Sequence, residues 1–238
     1  GMSLELLTKK CEKIAFDPNK SRCIVRSELI CAVLENAQIE INPFDWFQDK
    51  INHGDIISCI EKKWLDEALS ESEESLKCRR KLLSESYACT GDQVFGHCIP
   101  DWKRILKYGI PGLRNIAVQK LKLCSDAKQI EFYTSCISVA NALICLLNRI
   151  ADSAEAAGQK YEKQKLVSKS LRNLALGAPT DILEAMQLII IYYAMQTFVE
   201  GTLIRSLGSI DALLYEYYVG DLKSGKYTDE QIREFLDY

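Results

Sequence analysis

The sequence predicts a mainly α-helical single domain with few or no strands. Apolar residues recur at spacings of three and four along most of the 238 residues, which is the period of a helix with one buried face. The alternation of apolar and polar residues that is typical of strands is nearly absent, and 39–41 and 203–205 are the only short candidates. The stretch 181–199 is apolar on almost every side, which indicates a helix that other elements surround.

Residues 181–199 are predicted to form this core helix. Their centre, 188–191, consists of four large aliphatic residues. Thr180 or Asp181 can cap the start, because a short side-chain oxygen accepts a free N–H of the first turn, and Gly201 can end the helix. The unbroken apolar run is shorter than the roughly 20 residues that a bilayer requires, so a buried helix is favoured over a membrane span.

The first half of the chain is predicted to contain amphipathic helices separated by turns. Helices are expected over 3–15 and 21–38, then an aromatic turn at 41–47 and a third helix after the capping residues 52–55. The charged run 70–80 is interpreted as a solvated helix face. Four glycines and two prolines make 90–112 the least regular segment, and we expect loops there around one short helix at 102–106.

The second half is predicted to be more regularly helical. Expected helices cover 113–125, 127–157 and 160–175, a tyrosine-rich apolar stretch covers 211–219, and a capping box at 228–231 starts a last helix. We interpret Gly1 as a residue left by tag cleavage and assign one domain to 2–238. That domain divides into N-terminal helices at 2–88, a Gly/Pro loop segment at 89–112 and a helical core at 113–238.

Composition excludes several classes of protein. The net charge of −3 shows no basic excess, so no nucleic-acid partner is expected. Ten cysteines lie between Cys11 and Cys145 without a single CxxC pair, which argues against a zinc knuckle. No secretory signal is apparent. The sequence therefore predicts a reduced, cytoplasmic protein with no metal, no cofactor and no membrane partner.

Motifs in the middle of the chain resemble those of a known family. The run Gly96-His97-Cys98-Ile99-Pro100-Asp101-Trp102, followed by Leu106-Lys107-Tyr108-Gly109-Ile110-Pro111-Gly112-Leu113, resembles a segment of the glycyl radical enzymes. This family includes pyruvate formate-lyase and the diol and choline lyases. Further matches in the same order are Asn42–Phe47 with Asn52-His53-Gly54, Phe132-Tyr133, Glu184–Leu188, Ser206–Asp211, Tyr215–Tyr218 and Asp221–Gly225. The resemblance therefore covers nearly the whole chain.

The resemblance implies the N-terminal helical part of that fold without its radical machinery. The family's thiyl cysteine and radical glycine belong to later parts of the family chain, and no Arg-Val-Ser-Gly-Tyr-like motif occurs here. Leu203 and Ile204 replace a His-Ser pair that contacts substrate in diol lyases, and Ser209 and Ala212 replace an Arg and a Gln. We expect a truncated, stand-alone pyruvate formate-lyase-like protein.

Two residues are the candidate ligand-binding side chains. The resemblance implies that His97 contacts a substrate, while a loop histidine bonded to nearby backbone is the alternative. Asp101 is more typical of a cap for the helix at Trp102 than of a catalytic acid. Cys98 would be reactive only if His97 lowered its pKa. No catalytic residue and no metal ligand are assigned.

Three functions are compatible with these features. The first is a non-catalytic interaction or scaffold domain, a pseudoenzyme that forms an oligomer or binds a partner covering exposed apolar surface. The second is a subunit or fragment of a glycyl radical C–C or C–O/C–N lyase of anaerobic metabolism, which contributes part of the substrate pocket. The third is a small-molecule binding module that uses residues 91–112.

Overall fold

The fold is described from a computed structural model that covers residues 1–70, 77–78, 81–82, 84–85, 95–199 and 203–237. Most of the predicted charged face at 70–80, and the predicted helix stop at Gly201, lie outside these residues. The described part is mainly helical, with two pairs of very short strands. This confirms the predicted fold class.

The N-terminal part is a helical pair followed by a small hairpin. Helix α1 covers Leu4–Ala15 and α2 covers Arg22–Asn36, and Ser3 and Ser21 cap their N-termini. Strands β1 (Gln38–Ile39) and β2 (Ile51–Asn52) pair antiparallel, and α3 covers Ile56–Ser70. The predicted helices are confirmed. Helical periodicity and serine capping both depend on residues that are close together in sequence, so local pattern could predict them.

A buried group of three glutamines holds the connection between β1 and β2. The side-chain amide of Gln164 donates to the carbonyl of Asp45 at 2.8 Å, and Gln48 donates to the carbonyl of Asn42 at 2.8 Å. The backbone N–H of Gln48 donates to Gln187 at 3.1 Å. These bonds satisfy the backbone of a loop that would otherwise carry unpaired buried groups.

The segment predicted as loops around a short helix differs from that prediction. Strand β3 covers Phe95–Cys98, and α4 runs from Trp102 to Leu121 with a kink at Gly109 (φ 60°, ψ 175°). The loop prediction is therefore wrong for 107–112. Glycine permits the left-handed φ, and Pro111 falls in the first turn of the resumed helix, where its missing N–H costs little.

Helix α5, Ala127–Gly158, is the longest described element and packs against α2, α4 and helix α6, Glu162–Leu176. By length and composition alone it could cross a bilayer, with a mean hydropathy of 1.7 over 18 residues. In this structure one face of its C-terminal half is buried against the other helices, whereas Ile130 near its start is 40% exposed. Only part of the apolar surface of α5 is therefore covered.

The predicted core helix is confirmed as α7, Ile182–Ala194, which continues into a π-helical turn at Met195–Val199. Nearly every residue of α7 is buried. Asp181 caps it by accepting the backbone N–H of Glu184 at 2.7 Å. Strand β4 (Leu203–Arg205) and helices α8 (Ile210–Ser224) and α9 (Asp229–Leu236) follow. The predicted capping box of Thr228 and Gln231 is present at the start of α9.

Candidate functional site

The structure brings together two segments that the sequence singled out separately. Strands β3 and β4 pair in parallel, with Phe95 opposite Leu203 and Cys98 opposite Arg205. The strand that carries His97 therefore lies beside the strand that carries Leu203 and Ile204. More than 100 residues separate these strands in sequence, so no local signal could have predicted their pairing.

Trp102 fixes the end of this strand pair against the helices. Its indole N–H donates to the carbonyl of Ser206, just beyond β4, at 3.1 Å. The ring is 3% exposed and packs edge-on against Tyr192 of α7, with ring centroids 5.7 Å apart. A buried indole with a satisfied N–H is a rigid contact, so α4, β4 and α7 are held at one point.

Asp101 caps helix α4. Its carboxylate accepts the backbone N–H of Arg104 at 3.1 Å, and the side chain is exposed. This is the capping role that the sequence favoured for Asp101. A further contact between Asp101 and a ligand remains a prediction.

A buried acidic cluster that the sequence did not predict lies at the start of α7. Asp181, Glu184 and Asp221 are each at most 4% exposed. Lys226 pairs with Asp181 at 2.6 Å, and the Tyr227 hydroxyl donates to the same carboxylate at 3.4 Å. Burial raises the pKa of Asp221, and the nearby charge of Asp181 adds to this effect.

Each carboxylate of this cluster has hydrogen-bond donors, which indicates a structural role. Glu184 accepts from the amide of Asn173 at 2.7 Å and from the backbone N–H and hydroxyl of Thr180 at 2.7 and 2.9 Å. Asp221 accepts from the backbone N–H of Ile182 at 2.7 Å. A hydrogen-bonded network of this kind fixes the start of the helix.

A cleft of about 420 Å³ lies between the β1–β2 hairpin, α5 and the end of α7. Ile150, Ile191 and Val199 contribute to its apolar wall, and Asp49 and His53 contribute polar groups. Burial raises the pKa of Asp49. The carboxylate and imidazole could orient a polar ligand group over the apolar wall. Among the described residues, no group of histidine, cysteine and acidic side chains has the arrangement of a metal site.

Comparison with known proteins identifies the same architecture elsewhere. Residues 7–238 match the family model described as pyruvate formate lyase-like. A structure solved for 1,2-propanediol dehydration in Roseburia inulinivorans superposes with a TM-score of 0.82 at 17% identity over 98% of this chain. A glycyl radical enzyme from Archaeoglobus fulgidus superposes with a TM-score of 0.73 at 15% identity over 98%. The glycerol-bound, B12-independent glycerol dehydratase from Clostridium butyricum gives a TM-score of 0.71 at 20% identity over 98%.

The match covers nearly all of this chain but a minor part of each solved structure. The chain spans 34%, 39% and 36% of those three proteins, in the order given. At these identities the likeness establishes a shared fold.

Proposed function

Since this chain belongs to the pyruvate formate lyase-like family, we propose that it works as an interaction domain that has no catalytic activity by itself. Its partner is a polypeptide that carries the remainder of such a fold. The region matched here spans 34% and 36% of two of the solved relatives.

The observation that carries this proposal is the parallel pair of β3 and β4. Parallel strands occur almost always in larger sheets that are covered on both faces. Within the described ranges, no third strand joins this pair. Open strand edges present unpaired backbone groups that accept further strands, so a partner that extends the sheet would satisfy them.

Exposed apolar side chains flank the same strands. Ile99 directly follows β3 and is 61% exposed, and Leu207 and Ile210 follow β4 and are each 37% exposed. We call these three residues the strand-end patch. Apolar side chains grouped on a surface are typical of interaction sites. A partner that pairs with the strands would cover this patch as well.

Light scattering on the purified chain, alone and with a polypeptide that holds the remaining two-thirds of such a fold, tests the proposal. We expect a complex that Ile99→Lys and Ile210→Lys abolish. Leu176→Lys is the matched control, because Leu176 is 81% exposed on α6, far along the chain from the patch. A chain that stays monomeric and does not bind the other polypeptide would contradict the proposal. Equal loss of the complex in the control would contradict the assigned surface.

A second candidate is a subunit of a glycyl radical lyase that contributes part of the substrate pocket. The position of His97 on β3, beside β4, favours it, because two strands of one sheet can present residues to one pocket. In the reconstituted enzyme, His97→Ala should lower kcat/KM by about tenfold, the effect of one lost hydrogen bond. Lys103→Ala, at an exposed position of α4, provides the control. Equal activity of both variants would remove His97 from the site.

A further inference from the structure

An open groove of about 500 Å³ lies between α2, α4, α5 and the end of α7. We call it the α4–α5 groove. Half-buried apolar side chains form much of its wall, among them Leu113 and Ile116 from α4 and Val139 and Ala140 from α5. Its volume falls within the roughly 300–1,000 Å³ of small-molecule sites, and such sites combine apolar walls with a few polar groups.

Two polar groups of this groove are buried and unpaired. Arg114 and Gln196 both line it, and the Nε of Arg114 and the Oε1 of Gln196 are buried without a hydrogen-bond partner. Arg114 also forms no ion pair with a described residue. Arg26, which lies in the same wall, pairs with Glu61 at 3.3 Å. Unsatisfied buried polar atoms are rare in native proteins, so a donor and an acceptor left unsatisfied on two residues of one groove point to a missing partner.

We propose that the α4–α5 groove binds a small carboxylate with an apolar body. A guanidinium binds a carboxylate through two parallel N–H···O bonds, which is a geometry that a lysine cannot offer. The apolar wall takes up the hydrocarbon body and releases the water that it holds. Gln196 Oε1 accepts a hydrogen bond from a hydroxyl or amide of the ligand, or from water that enters with it.

Charge complementarity favours an acid over other ligands that could bind in an apolar groove. Arg26 and Arg114 are the charged residues among those that line it, and both are positive. An amine with the same body would place two like charges together, and an alcohol would leave the guanidinium without an anion. The groove therefore discriminates by the head group, while the body sets the affinity.

Calorimetric titration with octanoate, octylamine and 1-octanol tests this, because the three ligands share one hydrocarbon body. We expect saturable 1:1 binding of octanoate and binding at least about tenfold weaker for the other two. Arg114→Met should weaken octanoate binding by about tenfold or more. Arg114→Lys should weaken octanoate binding less than Arg114→Met does, but should not reach the affinity of the natural protein. Arg104→Met, at an exposed position of the same helix outside the groove, should leave it unchanged.

Two further measurements test the proposal even if one of these variants folds poorly. Ala140→Trp fills the groove and should abolish octanoate binding, while circular dichroism confirms that each variant retains its helix content. No saturable binding to the natural sequence would overturn the proposal, and so would equal binding of the three ligands. A dimer that Ala140→Trp dissociates, without octanoate binding, would overturn it in favour of a second copy as the occupant.

Discussion

The carboxylate of Asp221 accepts the backbone N–H of Ile182 at 2.7 Å, although 39 residues separate them. Helix α8 thereby supplies a cap for the first residue of the core helix α7. Asp181 caps the same helix from within its own segment by accepting the N–H of Glu184. Two carboxylates therefore share one helix N-terminus, where the backbone dipoles favour negative charge.

Two substitutions of Asp221 distinguish the contribution of its hydrogen bond to stability from that of its charge. Asp221→Ala removes the acceptor for a buried N–H and should lower the free energy of unfolding by about 1–3 kcal/mol. Asp221→Asn keeps an acceptor and should cost less. Urea unfolding at neutral pH gives both values. Equal losses for the two variants would show that the charge, and not the hydrogen bond, holds the helix.

The stability of the natural protein relative to Asp221→Asn should depend on pH. The pKa of the Asp221 carboxyl is raised in the folded protein. Its favourable contribution to the free energy of unfolding is therefore complete below the unfolded-state pKa of about 4, and it is lost as pH rises through the folded-state pKa. The asparagine variant should therefore gain stability relative to the natural protein as pH increases from 4 to 7. Urea unfolding at four pH values measures this. A constant difference would contradict the raised pKa.

Glu184 should be more important for stability than an exposed glutamate. Its carboxylate accepts from Asn173 and from two donors of Thr180, and it is 1% exposed. Glu184→Ala leaves these donors without an acceptor and should cost about 2–4 kcal/mol. Glu230→Ala on α9 is the control and should change stability by less than about 0.5 kcal/mol. Thermal unfolding followed by circular dichroism distinguishes the two.

The kink of α4 should require glycine at position 109. A Cβ on Gly109 would lie 2.8 Å from the Cα of Ala178, and the positive φ is unfavourable for alanine. Gly109→Ala should therefore destabilise by about 1–3 kcal/mol. Gly220→Ala is the matched control, because nothing lies within 4 Å of its Cβ position in α8. That variant should gain about 0.5–1 kcal/mol. Equal effects would indicate that the kink is not fixed by Gly177–Ala178.

Cysteine reactivity should report on burial. Burial raises the pKa of Cys11 to about 11 and that of Cys31 to about 12, whereas Cys23, Cys59 and Cys78 are exposed. Since the thiolate is the reactive form, iodoacetamide at pH 8 should modify the three exposed cysteines at least about 100-fold faster. Mass spectrometry of digested samples measures the rates. All five should react alike in urea, and equal rates in the folded protein would contradict the burial of Cys11.

The localisation and the small-molecule site predicted from sequence stay predictions. The predicted cytoplasmic location depends on the reduced cysteines, and the eight cysteines whose side chains the structure describes are free. Residues 91–112 were predicted to form a ligand pocket. Of these, Ile110 lines the α4–α5 groove, whose other walls come from α2, α5 and α7.

The sequence by itself determined the helices, the core helix and three of the side-chain caps. Asp101, Asp181 and Thr228 cap the helices that local pattern assigned to them, because a cap joins atoms at most three residues apart. The same local pattern failed at 107–112. Glycine and proline there indicated a loop, while the packing of Gly109 against Gly177–Ala178 selected a kinked helix.

Only the tertiary structure decided which distant residues meet. The pairing of β3 with β4, the cap that Asp221 gives to Ile182 and the α4–α5 groove each join segments far apart in sequence. Such contacts form when apolar faces pack and close long loops, and their partners leave no periodic signal in either segment. Helical periodicity identifies which residues of this protein are buried, whereas packing determines which strand edges and which polar groups are left for a partner.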